Sequence, residues 1–245
     1  MTTNLFGRAA LSAAVLCIAS GAASAASVEF AGAAGNRAAS ALFENVGGDL
    51  RITLTNTSLA DVMAQGDWLT GVFFDIAGGP LTLSRMSVVL APGSSVLFGT
   101  TDAGGVVGGE FGYASGLVGA PNGAKYGVSS SGLGLFGPPD LFPGNNLSGP
   151  SSPDGPQYGI TSAGDNLMTG NGTVTGGEAV IQNAVVITLG GLPMGFDPAA
   201  KIGNVRFQYG TALEEGNVPG ESNVPAPGAA GLMALGALAA RRKRR

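Results

Sequence analysis

Between residues 47 and 57 the chain reads Gly-Gly-Asp-Leu-Arg-Ile-Thr-Leu-Thr-Asn-Thr, and no other stretch restricts the possible folds as much. Leu50, Ile52 and Leu54 alternate with Arg51, Thr53 and Thr55. In an extended backbone successive side chains point to opposite faces, so the three apolar ones share a side and the polar ones face water. Ala38 to Val46 precedes the glycines and supplies the other arm of a hairpin with a Gly-rich turn. Leu69 to Ala77, Leu81 to Leu90, Ser95 to Gly99, Glu110 to Ser115, Lys125 to Ser130, Ala179 to Leu189 and Asn204 to Gly210 have the same character, separated by Gly, Pro, Asn and Asp turns. The pattern predicts an all-β chain, a single β-sandwich or jelly-roll-like domain. Helices are limited to a turn or two in Leu59 to Gln65 and one turn in Pro198 to Ile202. From Gly132 to Gly177 the alternation dissolves into Pro, Gly and Asn. This reads as an ordered surface excursion, broken by a strand at Gln157 to Thr161 and pinned by its aromatics.

The two ends do not belong to the domain. Met1 to Arg8 carries one positive charge, Ala9 to Ile18 is apolar, and Ala23-Ser24-Ala25 offers the small residues a signal peptidase requires, which places cleavage after Ala25. At the other end Val224-Pro225-Ala226-Pro227 precedes an uncharged run, Gly228 to Ala240, and then Arg241, Arg242, Lys243, Arg244 and Arg245. The prolines stop a helix from extending upstream, the apolar run can enter a bilayer as a transmembrane helix, and the basic cluster stays on the cytoplasmic side. The run is shorter than the ~20 residues a full span prefers, which favours a signal that is inserted, read and cut. The organisation is thus a signal peptide at 1–25, a β-sandwich at 26–213, a polar linker at 214–223 and a sorting tail at 224–245.

Charge and cysteine usage exclude several functions. Of the 12 Lys and Arg residues, Arg8 and the last five lie in the terminal segments, leaving 6 against 16 Asp and Glu, a net charge of −10. Nucleic-acid binding, which depends on neutralising phosphates, is excluded as a partner class. The one Cys, Cys17, lies in the signal peptide, so the processed chain has neither thiol nor disulfide. With no His anywhere, the His-dependent nucleophilic arrangements and the usual zinc, copper and iron ligand sets are gone.

Three chemical readings stay open. Asp140, Asp154, Asp165 and Asn166, with Asn145 and Asn146, are oxygen donors in Gly-rich loops and could hold calcium; the same residues serve turns by bonding to the backbone. Asp75, Glu110 and Glu178 are the carboxylates available for paired-acid catalysis, although Asp75 is equally explained by the outward face of a strand on which Val72, Phe74 and Ile76 point inward. Trp68, Tyr113, Tyr126, Tyr158 and Tyr209 could stack on sugars, but the glycine beside most of them also fits an aromatic packed over a glycine gap. Asn56-Thr57-Ser58, Asn146-Leu147-Ser148 and Asn171-Gly172-Thr173 match the glycosylation sequon and read as chance in a Ser/Thr-rich chain.

The Pro-Ala-Pro motif, apolar run and basic cluster resemble the PEP-CTERM sorting signal of Gram-negative bacteria, with alanine at Ala226 where the motif usually has glutamate. The body, through Leu69 to Ala77 (LTGVFFDIA), Ser130 to Phe136 (SSGLGLF), Asp154 to Asn166 (DGPQYGITSAGDN) and Val205 to Thr211 (VRFQYGT), is similar to one type of exosortase-dependent surface protein. The resemblance implies processing by signal peptidase and exosortase, and location at the cell surface or in an extracellular biofilm matrix. The two terminal signals and the lack of His and Cys in the processed chain then favour a non-enzymatic role with extracellular polysaccharide as the partner, the alternative being a secreted module that binds or, less readily, cleaves carbohydrate.

Overall fold

The computed structural model describes residues 26–149 and 153–223. Their strands are β1 (Ser27–Ala34), β2 (Arg37–Val46), β3 (Asp49–Asn56), β4 (Leu69–Ile76), β5 (Ser84–Leu90), β6 (Ser95–Leu97) and β7 (Gly112–Ser115). They continue with β8 (Tyr126–Ser129), β9 (Ile160–Thr161), β10 (Val180–Gln182), β11 (Ala184–Gly190), β12 (Ile202–Tyr209), β13 (Asn217–Pro219) and β14 (Glu221–Ser222). Two single-turn helices, α1 (Gly172–Thr175) and α2 (Pro198–Lys201), join them. One sheet has the order β14-β1-β2-β3-β11-β5 and is antiparallel throughout. The other runs β13-β12-β4-β9-β10-β6, with β8 also bonded to β4 and carrying β7; β9 and β10 are its parallel pair. The fold is an all-β sandwich, as the alternation requires.

Register explains how the core forms. Val28, Phe43, Ile52, Ile187 and Val88 lie directly opposite one another across five neighbouring strands, and each is buried. The next rank inward from the turn repeats this with Ala41, Leu54 and Val185. From the facing sheet Val72, Phe74, Val128, Ile181 and Phe207 complete the same cluster. Aromatic rings bridge the layers: Phe43 meets Phe30 edge-on at 5.8 Å and Phe74 of the opposite sheet at 5.3 Å, and Phe74 stacks on Tyr126 at 5.6 Å.

β4 is covered on both faces. Its outward-pointing Phe73 is fully buried beneath Leu117, Leu133 and Phe136, which come from the stretch after β7 and from the Pro/Gly-rich excursion. Phe73 also sits opposite Gly127 of β8, where an added Cβ would lie 2.6 Å from its ring. This is an aromatic filling the gap a strand glycine leaves. Phe142 and Tyr158, also from the excursion, insert into the main core, so the described part of 132–177 is ordered by its few large side chains.

Several boundaries differ from the sequence reading. Ala179 to Leu189 is two strands, because Asn183 takes φ 86° and carries the chain from one sheet to the other. Asparagine tolerates the left-handed region better than other non-glycine residues. Gln157 to Thr161 is strand only at Ile160–Thr161, and Leu59 to Gln65 forms no helix, the chain making a 3-10 turn at Gln65–Asp67. Ser27–Ala34 is a strand that its small residues concealed.

The largest correction concerns 214–223, read from composition as a polar tether. Val218 of β13 is buried against β12, opposite Phe207, and Ser222 of β14 lies opposite Phe30 of β1. Gly32 of β1 comes so close that a Cβ there would lie 2.1 Å from the carbonyl oxygen of Pro219. An edge strand has solvent on its open side and needs little apolar area; here Val218 and backbone bonds from Gly220 N to Val205 O (2.9 Å) and Asn223 N to Glu29 O (3.2 Å) suffice. The folded unit therefore extends through Asn223, ten residues beyond the boundary at 213. Ala26 and Asn223 both lie at the β1 and β14 side of the sandwich.

Candidate functional site

Ala23, Ala25, Val224, Pro225, Ala226, Pro227 and Arg241 to Arg245 lie outside the described residues. No helix among the described residues is long and apolar enough to cross a membrane.

The structure does not bring the calcium candidates into one cluster. Asp140 accepts from Gly137 N (2.8 Å) and lies 3.9 Å from Arg85, while Asp154 accepts from Gly155 N (2.8 Å). Asp165 is buried, taking bonds from Val62 N (2.8 Å) and the Thr161 hydroxyl. Asn166 Oδ1 accepts from Met168 N (3.2 Å). Asn145 is tied to Asp102 through its backbone N (2.9 Å) and side chain (2.7 Å), and these two bonds hold the Asp102 carboxyl below the usual carboxylate range. The Asp140, Asp154 and Asn166 oxygens thus close local turns, the chemistry open to Asp and Asn, while Asp165 ties its loop to Val62. Among the described residues no three carboxylates gather at one point.

The stacking candidates are inside the protein. Trp68, Tyr113, Tyr126, Tyr158 and Tyr209 are all buried, so none stands on the surface as an open stacking platform; Tyr126 reaches only the wall of a cavity. In a domain without disulfides these rings supply apolar area the core needs. Burial shows in the phenols: desolvation pushes Tyr113 up to about 12, and Tyr209 and Tyr158 are also raised, chiefly by desolvation. Among the described aromatics Phe98 alone is well exposed, at 57 %.

The three carboxylates are also separated. Glu110 is buried and accepts from Leu147 N and Ser148 N (3.0 Å), securing the chain that folds over it. Glu178 is half-buried just before β10. Asp75 lines a cavity of about 800 Å³, whose walls include neither glutamate. Its volume falls within the ~300–1,000 Å³ of small-molecule sites.

This cavity is built from an irregularity in the sheet. Gly203 of β12 lies opposite Asp75 and Arg206 opposite Phe73, so Asn204 and Val205 together face the single Phe74. Such a bulge bends its strand and re-aims a side chain. Asn204, at φ 50°, donates from Nδ2 to Asp75 Oδ2 (2.9 Å) and to the carbonyl of Asn122 (3.2 Å), whose own φ is 52°. Asn122 Nδ2 returns a bond to Asn204 Oδ1 (2.6 Å), and Lys125 N donates to Asp75 Oδ1 (2.8 Å). The Asp75 carboxylate is thereby fixed by two donors, with one acceptor position left on each oxygen. Leu81 and Pro80 form one wall, where Leu81 N donates to the Tyr126 hydroxyl (2.7 Å), and Ile76 and Ile202 are apolar lining. Lys125 and Lys201, both exposed, stand at the margin.

Of this set the sequence reading named Asp75 and Tyr126. Asn204 and the two lysines were missed; the signal for Asn204 was the Gly203-Asn204 pair inside a strand pattern, which marks a bulge. No family model matches the chain, and neither a curated protein nor a solved structure matches it.

Proposed function

We propose that this chain is an exported, non-enzymatic cell-surface or extracellular-matrix protein, delivered through the inner membrane of a Gram-negative bacterium and processed at both ends by signal peptidase and an exosortase. The observation that carries the reading is the pair of terminal signals: the A-x-A site ending at Ala25 and the Pro-Ala-Pro, apolar and basic order from Val224 to Arg245. The fold is compatible with it. An acidic sandwich without thiols needs no redox partner outside the cell, and both segments to be removed join the domain along one side. The cavity contributes a single carboxylate, Asp75, so the paired acids of glycoside hydrolysis are not assembled there. A matrix role makes extracellular polysaccharide the natural partner.

Fractionating two variants in the producing cell tests the sorting signal. Replacing Pro225 and Pro227 with alanine leaves the apolar run able to insert but removes the helix stop, so the protein remains membrane-bound and uncut. Neutralising Arg241 to Arg245 weakens retention on the cytoplasmic side, and precursor escapes unprocessed. Processing and release of both variants like the parent would refute the reading.

A further inference from the structure

We infer that the cavity at the β4–β12 bulge binds an acidic sugar, a hexuronate unit of an extracellular polysaccharide. The inference rests on the matrix reading above and gives it a site and a ligand class. Charge distribution is the first argument. The described domain has six basic side chains against sixteen acidic ones, and Arg37, Arg51 and Arg85 are each engaged with a carboxylate. Both of the domain's lysines, Lys125 and Lys201, border this one cavity, with Asp75 the only acid in its lining. An otherwise acidic surface therefore places both lysines at the margin of one cavity; Lys125 Nζ donates to the carbonyl of Leu117 (3.4 Å) and, with three donors, keeps capacity for a carboxylate.

Hydrogen-bonding capacity is the second argument. Asp75 is held by Lys125 N and Asn204 Nδ2 and keeps an acceptor position on each oxygen, the arrangement that receives sugar hydroxyls from a fixed direction. The strand bulge and the left-handed Asn204 that hold it are irregularities of the kind that collect at binding sites. Apolar Leu81 and Ile202 supply surface for the C–H face of the ring. A neutral sugar would leave the lysines unused, and a small inorganic anion would leave Asp75 opposing it.

Isothermal titration of the protein, purified from the cells that make it, against hexameric oligogalacturonate tests this. Saturable binding is expected, weakened about tenfold or more in the Lys125→Gln, Lys201→Gln double variant and by about as much when the oligomer's carboxyls are reduced to alcohols. Both lysines are exposed, so the double variant should melt with the parent. The inference is overturned by equal binding of the oligomer and its reduced form, by a double variant that binds like the parent, by inorganic sulfate binding as tightly as the oligomer, or by no binding at millimolar oligomer. A protein that is processed at both ends yet fails this titration retains its export role and loses the proposed ligand.

Discussion

Phe43 joins the two layers through ring contacts on both sides, and truncating it gives a direct stability test. It is fully buried, sits in the rank Val28–Phe43–Ile52–Ile187–Val88, and is the ring joining Phe30 of its own sheet to Phe74 of the other. Phe43→Ala removes about 2–3 kcal/mol of transfer free energy. It also leaves a cavity of up to ~100 Å³ which, at ~24 cal/mol per Å³, costs about 2 kcal/mol more if the flanking strands do not collapse. The expected loss is about 4–5 kcal/mol, a large fraction of the ~5–15 kcal/mol by which domains are stable. For a domain of this size it lowers Tm by on the order of 10–15 °C. Phe43→Leu keeps most of the volume and should cost about 1.5 kcal/mol. Leu59→Ala, at a fully exposed position, should stay within about 0.5 kcal/mol. Urea unfolding of the three variants measures this directly. A Phe43→Ala loss below about 1 kcal/mol would refute the argument that the sheets are locked through this ring.

Four further outcomes follow from the same structure. Val218→Ser should cost about 1–3 kcal/mol and raise amide exchange at Phe207, because β13 belongs to the fold; no change would restore a tether at 214–223. Asn183→Gly should be close to neutral while Asn183→Val destabilises by about 1–2 kcal/mol, since only the first accepts φ 86° without strain; equal melting of the two would contradict the sheet-crossing turn. Tyr113, Tyr158 and Tyr209 ionise above their ordinary value in the folded chain, so stability is complete below about pH 10 and falls as pH rises toward about 12, where unfolded tyrosines are already charged; full phenol ionisation at pH 10 with native circular dichroism would oppose it. Millimolar calcium should leave Tm unchanged, because the candidate carboxylates are held apart on separate donors; a rise with concentration would require a site the described residues do not form.

What was legible in the sequence was whatever one strand decides alone. The alternation of Leu50, Ile52 and Leu54 fixed β3 and its hairpin, and β2, β4 and β12 were readable from their own residues in the same way. What depends on a distant partner was not readable. Composition could not separate a tether from β13 and β14, since an edge strand draws its stability from backbone bonds to β12 and β1. Nor could it show that Ala179 to Leu189 serves two sheets, which turns on one backbone angle at Asn183. The site divides likewise. Asp75 stood out as a carboxylate after three apolar residues, but its partners Asn204, Lys125 and Lys201 are 50 to 129 positions away or belong to other elements, brought together by the bulge. The aromatics left two readings open because a ring beside glycine looks the same whether it faces solvent or, like Tyr126, the core; burial supports the packed one.

Intact-mass measurement of the abundant extracellular form in its producing cell tests the central claim most directly. The account predicts a chain that begins at Ala26, contains all of the folded unit through Asn223, and lacks Arg241 to Arg245. An extracellular form that retains the five basic residues would contradict it, leaving the tail as a plain membrane anchor and the signal peptide as the remaining reason to place the sandwich outside the cell.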